Sequence, residues 1–180
     1  MRKAHKIFVA LFRIIIGYIL CFYFSPLWAS DTDVYKDKKG YFTFVPPQGW
    51  GVEESSTLFA SRVQCRPQDG DAVIGIIALP DNDSLGNLFA IKKEFIEDHK
   101  RRFPQGKFVL SKTTFDGFEA LRIDFEIPEI IKEEFYFFFA EGMRFDLMYG
   151  ARDSADFEKY RPAALGSLAS LKPLRRLLEK

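Results

Sequence analysis

Two uninterrupted apolar runs constrain the fold of this chain more than any other feature. Residues 73–79 read VIGIIAL and residues 135–139 read FYFFF. A strand with one wet face alternates apolar and polar residues, whereas short continuous apolar runs bounded by turns are typical of strands that are covered on both faces. The sequence therefore predicts a central sheet with a layer of helix on each side.

Two other stretches have helical rather than strand periodicity. Residues 84–103 repeat apolar side chains at spacings of three, four or seven, with Asp83 or Ser84 as N-cap and a Pro-Gln-Gly sequence after Phe103. A second helix is expected over residues 162–171, after a separate turn at 155–160, because proline is tolerated in a first turn but not in a helix interior. This helix should contact the sheet through three leucines: Leu165, Leu168 and Leu171.

The remaining apolar segments predict short strands joined by tight turns. They cover residues 41–45, 57–63, 108–113, 118–127 and 143–149, and Asp116-Gly117 is a typical hairpin dipeptide. Short hairpins join antiparallel neighbours. The expected fold class is therefore α+β, a three-layer α/β/α sandwich around a largely antiparallel sheet.

The N-terminus has the pattern of a secretory signal. Basic residues precede an apolar block at 14–24, Pro26 follows, and Ala29 offers a small residue at the cleavage position. We expect residues 1–29 to be removed, leaving one domain over residues 30–180 with a fraying basic tail at 172–180. The protein would then be exported, to the periplasm or beyond the cell, with no stable membrane span. The alternative is a retained N-terminal anchor, although Arg13 within the segment is costly in a bilayer.

The composition excludes several kinds of function. A formal net charge of +1 offers no electrostatic attraction for nucleic acid. Beyond residue 29 the chain has one cysteine, Cys65, and one histidine, His99, which excludes an internal disulfide and a His- or Cys-rich zinc site. Each has two interpretations: His99 is a general base or a packed histidine, and Cys65 is an Arg66-activated thiolate or an unreactive small residue.

Carboxylates supply the remaining candidate chemistry. Four loop aspartates flank the 73–79 strand and suit either calcium or plain solvation: Asp69, Asp71, Asp81 and Asp83. Five charged residues are expected on one polar sheet face: Arg122, Asp124, Glu126, Arg144 and Asp146. They would form a cross-strand ion-pair ladder, hold a polar ligand, or perform hydrolysis through Asp124, Glu126 and Asp146.

The order of these motifs resembles the PsbP-like family, whose founding members are extrinsic subunits of photosystem II. The resemblance lies in residues 40–50 (GYFTFVPPQGW), in the 73–80 strand and the helix with Phe95, in the hairpin 135–149, and in the closing stretch 150–171. It implies an αβα sandwich and an accessory role. Calcium or manganese binding is implied for the family only, so no metal-binding residue and no cofactor is assigned here.

The sequence predicts a non-catalytic accessory or binding protein that acts on a protein partner. The expected contact is the loop end with Pro46, Pro47 and Trp50, because tryptophan is enriched at interfaces. The alternative at this position is that Trp50 fills the core beside Pro47. The alternative functions are a carrier of calcium, manganese or a small ligand, and the hydrolase described above.

Overall fold

The computed structural model describes residues 34–80 and 88–174, and this part contains two helices and two sheets. The helices are α1 (Leu88–Arg102) and α2 (Ser154–Ala169). The strands are β1 (Tyr35–Lys36), β2 (Phe42–Phe44), β3 (Gly51–Glu54), β4 (Ser61–Arg66), β5 (Ala72–Pro80), β6 (Lys107–Phe115), β7 (Phe118–Ile127), β8 (Ile131–Ala140), β9 (Met143–Ala151) and β10 (Lys172–Pro173).

Seven strands form the main sheet in the order β3-β4-β5-β9-β8-β7-β6, and β1-β2-β10 form a small second sheet. Each neighbouring pair is antiparallel. Strands β6 to β9 follow one another through tight turns, two of which place Asp116 and Glu141 at positive φ with a glycine next in the chain. The predicted α+β fold and its antiparallel sheet are confirmed.

Helix α1 covers one face of the main sheet, over β7 and β8. Its apolar stripe meets the residues of these strands that point to its side, including Ile123, Phe125, Phe135 and Phe137. The FYFFF run thus divides as alternation requires, because Phe135 and Phe137 face α1 while Tyr136 and Phe138 face the opposite layer.

The opposite face is covered by α2 and by the small sheet together. Phe42 and Phe44 of β2 are fully buried there, as are Phe157, Leu168 and Leu171. The predicted contact of the three leucines is confirmed, with Leu165 partly buried against the same cluster. The VIGIIAL run is fully covered on this face only, since its residues on the α1 side are half-buried.

Helix α2 corrects the expected break at Pro162, because it runs unbroken from residue 154 to 169. Asp153 caps it by accepting the N–H of Ala155 at 2.5 Å. Pro162 lies at an exposed position of the helix, and it has no N–H to donate to the carbonyl one turn earlier. The helix ends before Leu171, which is buried just beyond it.

Three further segments differ from expectation. Strand β3 was not predicted, and the strand expected at 57–63 starts later, at Ser61. The tail expected to fray begins instead with β10, where Lys172 and Pro173 pair with Thr43 and Phe42. Such pairing joins segments about 130 residues apart in sequence, so no local pattern indicates it.

The expected signal at 1–29 and the start of the helix expected at 84–103 lie outside the described residues. In the described part, no helix has the length and apolar character needed to cross a membrane.

Candidate functional site

The polar residues expected on one sheet face lie on two opposite faces. Arg122 of β7 pairs with Tyr136 of β8, and Tyr136 pairs with Leu147 of β9, so these three side chains lie on the same face of the sheet. Asp146 follows Leu147, so its side chain points to the other face. The expectation of one polar face is therefore wrong: Arg122, Asp124 and Glu126 lie on the α2 side, and Arg144 and Asp146 lie on the α1 side.

This separation corrects the proposed hydrolytic group. Asp124 and Glu126 share a face of β7, but Asp146 is on the far side of the sheet from both, so the three carboxylates cannot act on one substrate. The expected cross-strand ladder is also corrected in part. Among these five residues, the ion pairs join residues two apart in one strand, Arg122 Nε to Asp124 at 2.7 Å and Arg144 Nε to Asp146 at 2.7 Å.

On the α2 side, Arg122 and Asp124 belong to a larger group around Glu134 of β8, which we call the Glu134 cluster: Arg122, Asp124, Glu134, Tyr136 and Arg161. The carboxylate of Glu134 is 4% exposed. It accepts the Tyr136 hydroxyl at 2.8 Å and Arg161 Nε at 2.7 Å, and Arg122 lies 3.3 Å away. Each carboxylate oxygen thus has a partner.

The Glu134 cluster joins three elements that the chain brings together only on folding. Arg161 extends from α2, Glu134 and Tyr136 lie on β8, and Arg122 lies on β7. Burial raises the pKa of Tyr136, and its hydrogen bond to Glu134 adds to that effect. The hydrogen bond from Arg161 to Glu134 raises the pKa of that guanidinium. Because its groups are paired, this cluster is suited to fastening α2 onto the sheet.

On the α1 side, Arg144 binds Asp146 through two nitrogens, at 2.7 and 2.8 Å. Burial raises the pKa of Asp146, while Arg144 and, more weakly, Arg62 oppose the rise. Bidentate pairing of this kind stabilises the ionised carboxylate. It leaves Asp146 without the free carboxyl that a general acid requires.

The loop expected to contact a partner is fixed to α2. Trp50 is 6% exposed and its ring meets the edge of Tyr160, with centroids 5.7 Å apart. Pro47 is buried and Pro46 half-buried. Trp50 thus fills the core beside Pro47, which was the alternative interpretation, and its ring is not offered to a partner.

The backbone before this tryptophan remains at the surface. Val45 N–H donates to Ser170 Oγ at 2.7 Å, and Ser167 Oγ donates to the carbonyl of Val45 at 2.7 Å. Val45 keeps 36% of its surface exposed, and Gln48 and Gly49 are exposed. We call residues 45–49 the proline loop; Ser167 in the last turn of α2 and Ser170 at its C-cap bind the start of this loop.

His99 and Cys65 are both packed. The His99 ring stacks on Phe95 with centroids 3.8 Å apart, its Nδ1 lies 3.0 Å from the Phe95 carbonyl, and burial lowers its pKa. Cys65 has no exposed surface, and burial raises its pKa to about 12. Arg66 lies on the other face of β4, so it does not activate the thiol.

The loop aspartates are arranged as surface ion pairs. Lys159 lies 3.4 Å from Asp69, and Arg152 lies 3.6 Å from Asp71. Asp81 and Asp83 lie outside the described residues. Within the described ranges, no three His, Cys, Asp or Glu side chains come together as a metal-binding group.

One unusual group was not singled out from the sequence. Glu133 is 6% exposed on the α1 side of β8, opposite Phe125 on one neighbour and Gly150 on the other. Burial raises its pKa to about 7. A Cβ added at Gly150 would lie 2.7 Å from Glu133 Cγ, so the glycine makes room for this side chain. The sequence signal that could have identified Glu133 is a charged residue at the start of a strand that is predicted to be covered on both faces.

Together these features define an antiparallel α+β sandwich with paired charges and a surface loop that is hydrogen-bonded to the end of α2. Among solved structures, the solution structure of cyanobacterial PsbP (CyanoP) from Synechocystis sp. PCC 6803 matches 86% of this chain and 99% of its own, with a TM-score of 0.59 and 12% identity. A 1.50 Å crystal structure from Bacteroides thetaiotaomicron VPI-5482 matches 79% of this chain and 48% of its own, with a TM-score of 0.51 and 12% identity.

No protein-family model and no curated protein matches the sequence. The structural similarity therefore establishes a PsbP-like fold.

Proposed function

We propose that this chain is an exported, non-catalytic accessory protein that binds a protein partner through the proline loop. The observation that carries the proposal is the attachment of that loop to α2. Ser170 accepts from the N–H of Val45 and Ser167 donates to its carbonyl, each at 2.7 Å, so both backbone groups of Val45, at the start of the exposed loop, are held before any partner arrives.

A fixed loop favours binding for a physical reason. Ordering a mobile segment on association costs conformational entropy, and a loop that is already ordered avoids that cost. The side chains of Trp50 and Pro47 also stabilise the loop, because they are buried in the core. The two serines stabilise it through their hydrogen bonds to Val45. Val45, Gln48 and Gly49 are the exposed residues of the loop, and they lie at the centre of the surface offered to a partner.

The PsbP-like fold over most of the chain supports an accessory role over a catalytic one. The pairing of the charged groups supports it too, since Glu134 and Asp146 are each engaged by an arginine. Export is supported by the signal-like pattern of residues 1–29 and is part of the proposal.

Site-specific photo-cross-linking in the expressing cells tests this function. A photoreactive amino acid replaces Gln48 in the proline loop, and in a matched control it replaces Lys100, which is exposed on α1. We expect one discrete adduct with a single protein from position 48 and none from position 100. Ser170→Ala, which removes the acceptor for the Val45 N–H, should weaken the adduct while the protein stays folded by circular dichroism.

Absence of an adduct at position 48 would overturn the proposal. Equal labelling at the two positions would do the same, because it would show general crowding in place of a specific contact.

A further inference from the structure

The loop between β3 and β4 presents two consecutive large apolar side chains to solvent. Leu58 is 84% exposed and Phe59 is 70% exposed. Single exposed apolar residues are ordinary, whereas an adjacent aliphatic and aromatic pair at a hairpin tip is not. We call residues 55–60 the apolar tip.

Hydrogen bonds hold the apolar tip in this exposed form. The N–H of Thr57 donates to the carbonyl of Ala60 at 2.8 Å, and the N–H of Ala60 donates to Thr57 Oγ1 at 3.2 Å. Lys39 reaches across from the neighbouring turn, and its ammonium contacts the carbonyls of Thr57, Leu58 (3.1 Å) and Ala60 (3.3 Å). The exposure of the pair is therefore built into the fold.

The turn that supplies Lys39 is itself anchored beside the tip. Asp37 is buried, accepts the N–H of Tyr41 at 2.9 Å and also accepts the hydroxyl of Ser61. This arrangement brings a basic turn, residues 36–40 with the sequence KDKKG, next to the apolar tip. Lys36 and Lys38 are exposed, and Lys38 also lies 3.1 Å from Glu54.

The size and charge of this surface decide what it fits. Two such side chains offer about 300 Å² of apolar surface, whereas each side of a standard protein–protein interface buries about 800 Å². A small apolar wedge beside lysines instead matches the boundary of an anionic bilayer, where apolar groups enter the acyl region and cations meet the headgroups.

We propose that the apolar tip inserts Leu58 and Phe59 into the surface of an anionic lipid bilayer, with Lys36 and Lys38 on the headgroups. The contact is peripheral and does not depend on the partner surface proposed above. It orients the proline loop relative to the membrane, and its failure would leave the cross-linking result at Gln48 unchanged.

Tryptophan reporters in the full chain test the insertion. Phe59→Trp places the reporter on the apolar tip, and Phe89→Trp places a matched control on α1, where Phe89 is 71% exposed. Each is mixed with phosphatidylcholine vesicles, with or without phosphatidylglycerol, whose acyl chains are brominated. The wild-type signal is subtracted to remove Trp28 and Trp50.

With phosphatidylglycerol present, we expect a blue shift and quenching at position 59 and neither at position 89. Lys36→Ser and Lys38→Ser should each weaken partitioning about fivefold, as expected for one lysine at a charged membrane surface. No response at position 59, equal responses at both positions, or the same response with neutral vesicles would each overturn the proposal. Because both reporters carry the same N-terminus, a retained anchor cannot imitate the expected difference.

Discussion

Replacing Glu133 by glutamine should remove a pH dependence from the stability of this protein. Glu133 is 6% exposed on the α1 side of the main sheet, and burial alone raises its pKa from 4.5 to about 7. A difference of this size between the folded and the unfolded chain corresponds to about 3 kcal/mol of folding free energy, at about 1.4 kcal/mol for each tenfold change in proton affinity.

The sign follows from which state keeps the proton. Between pH 4.5 and about pH 7 the folded chain retains the Glu133 proton and the unfolded chain has released it. The stabilising effect of protonation is thus present at low pH and is lost as the pH rises to about 7, above which the cost is constant. Glu133→Gln keeps the shape of the neutral side chain and cannot ionise, so it should be more stable than wild type by about 3 kcal/mol at about pH 8.

The free energy of unfolding, measured by urea denaturation across this pH range, checks the prediction. The two proteins should have nearly equal stability at about pH 4, and their difference should grow to its full value near pH 7. His99, whose pKa burial lowers, titrates in both proteins and cancels in the difference. Glu126→Gln, at an exposed carboxylate on the neighbouring strand, is the control and should follow wild type. A difference that is independent of pH would refute the reasoning.

Two further outcomes are expected. Leu168→Ala should lower the free energy of unfolding by about 2–5 kcal/mol, because Leu168 is 1% exposed between α2 and the sheet. Urea denaturation measures this loss, with Ala163→Ser, at an exposed position of the same helix, as the control. If Leu168→Ala loses no more stability than the control, Leu168 is not packed as described. N-terminal sequencing of the protein recovered from its host should find a chain that starts near Ser30, whereas a membrane-bound species starting near Met1 would show that the anchor is retained.

Local patterns predicted the elements whose stability is local. The alternation of residues 118–127 matches the bounds of β7, and the tight turns predicted the antiparallel order of β6 to β9, because a short hairpin allows no other pairing. Helix α1 followed from its apolar spacing. The order of these elements also carried the resemblance to the PsbP-like family, whose fold the chain has.

The candidate sites depended on the tertiary structure. Alternation shows which residues of one strand share a face, but whether Asp146 and Arg122 share a face depends on the register of β7, β8 and β9 together. That register separated the two polar groups, just as the packing of α2 kept Pro162 inside a helix and placed Trp50 in the core.

The sequence by itself therefore determined the strands from β5 to β9, the helix periodicity and the antiparallel order, because these follow from neighbours a few residues apart. Only the tertiary structure decided which charged residues form pairs and that Glu133 is buried against Gly150. It also decided that Leu58 and Phe59 stay exposed in a loop that Lys39 binds through its carbonyls. Each of these outcomes depends on contacts between residues distant in sequence, whose burial and pairing no local pattern records.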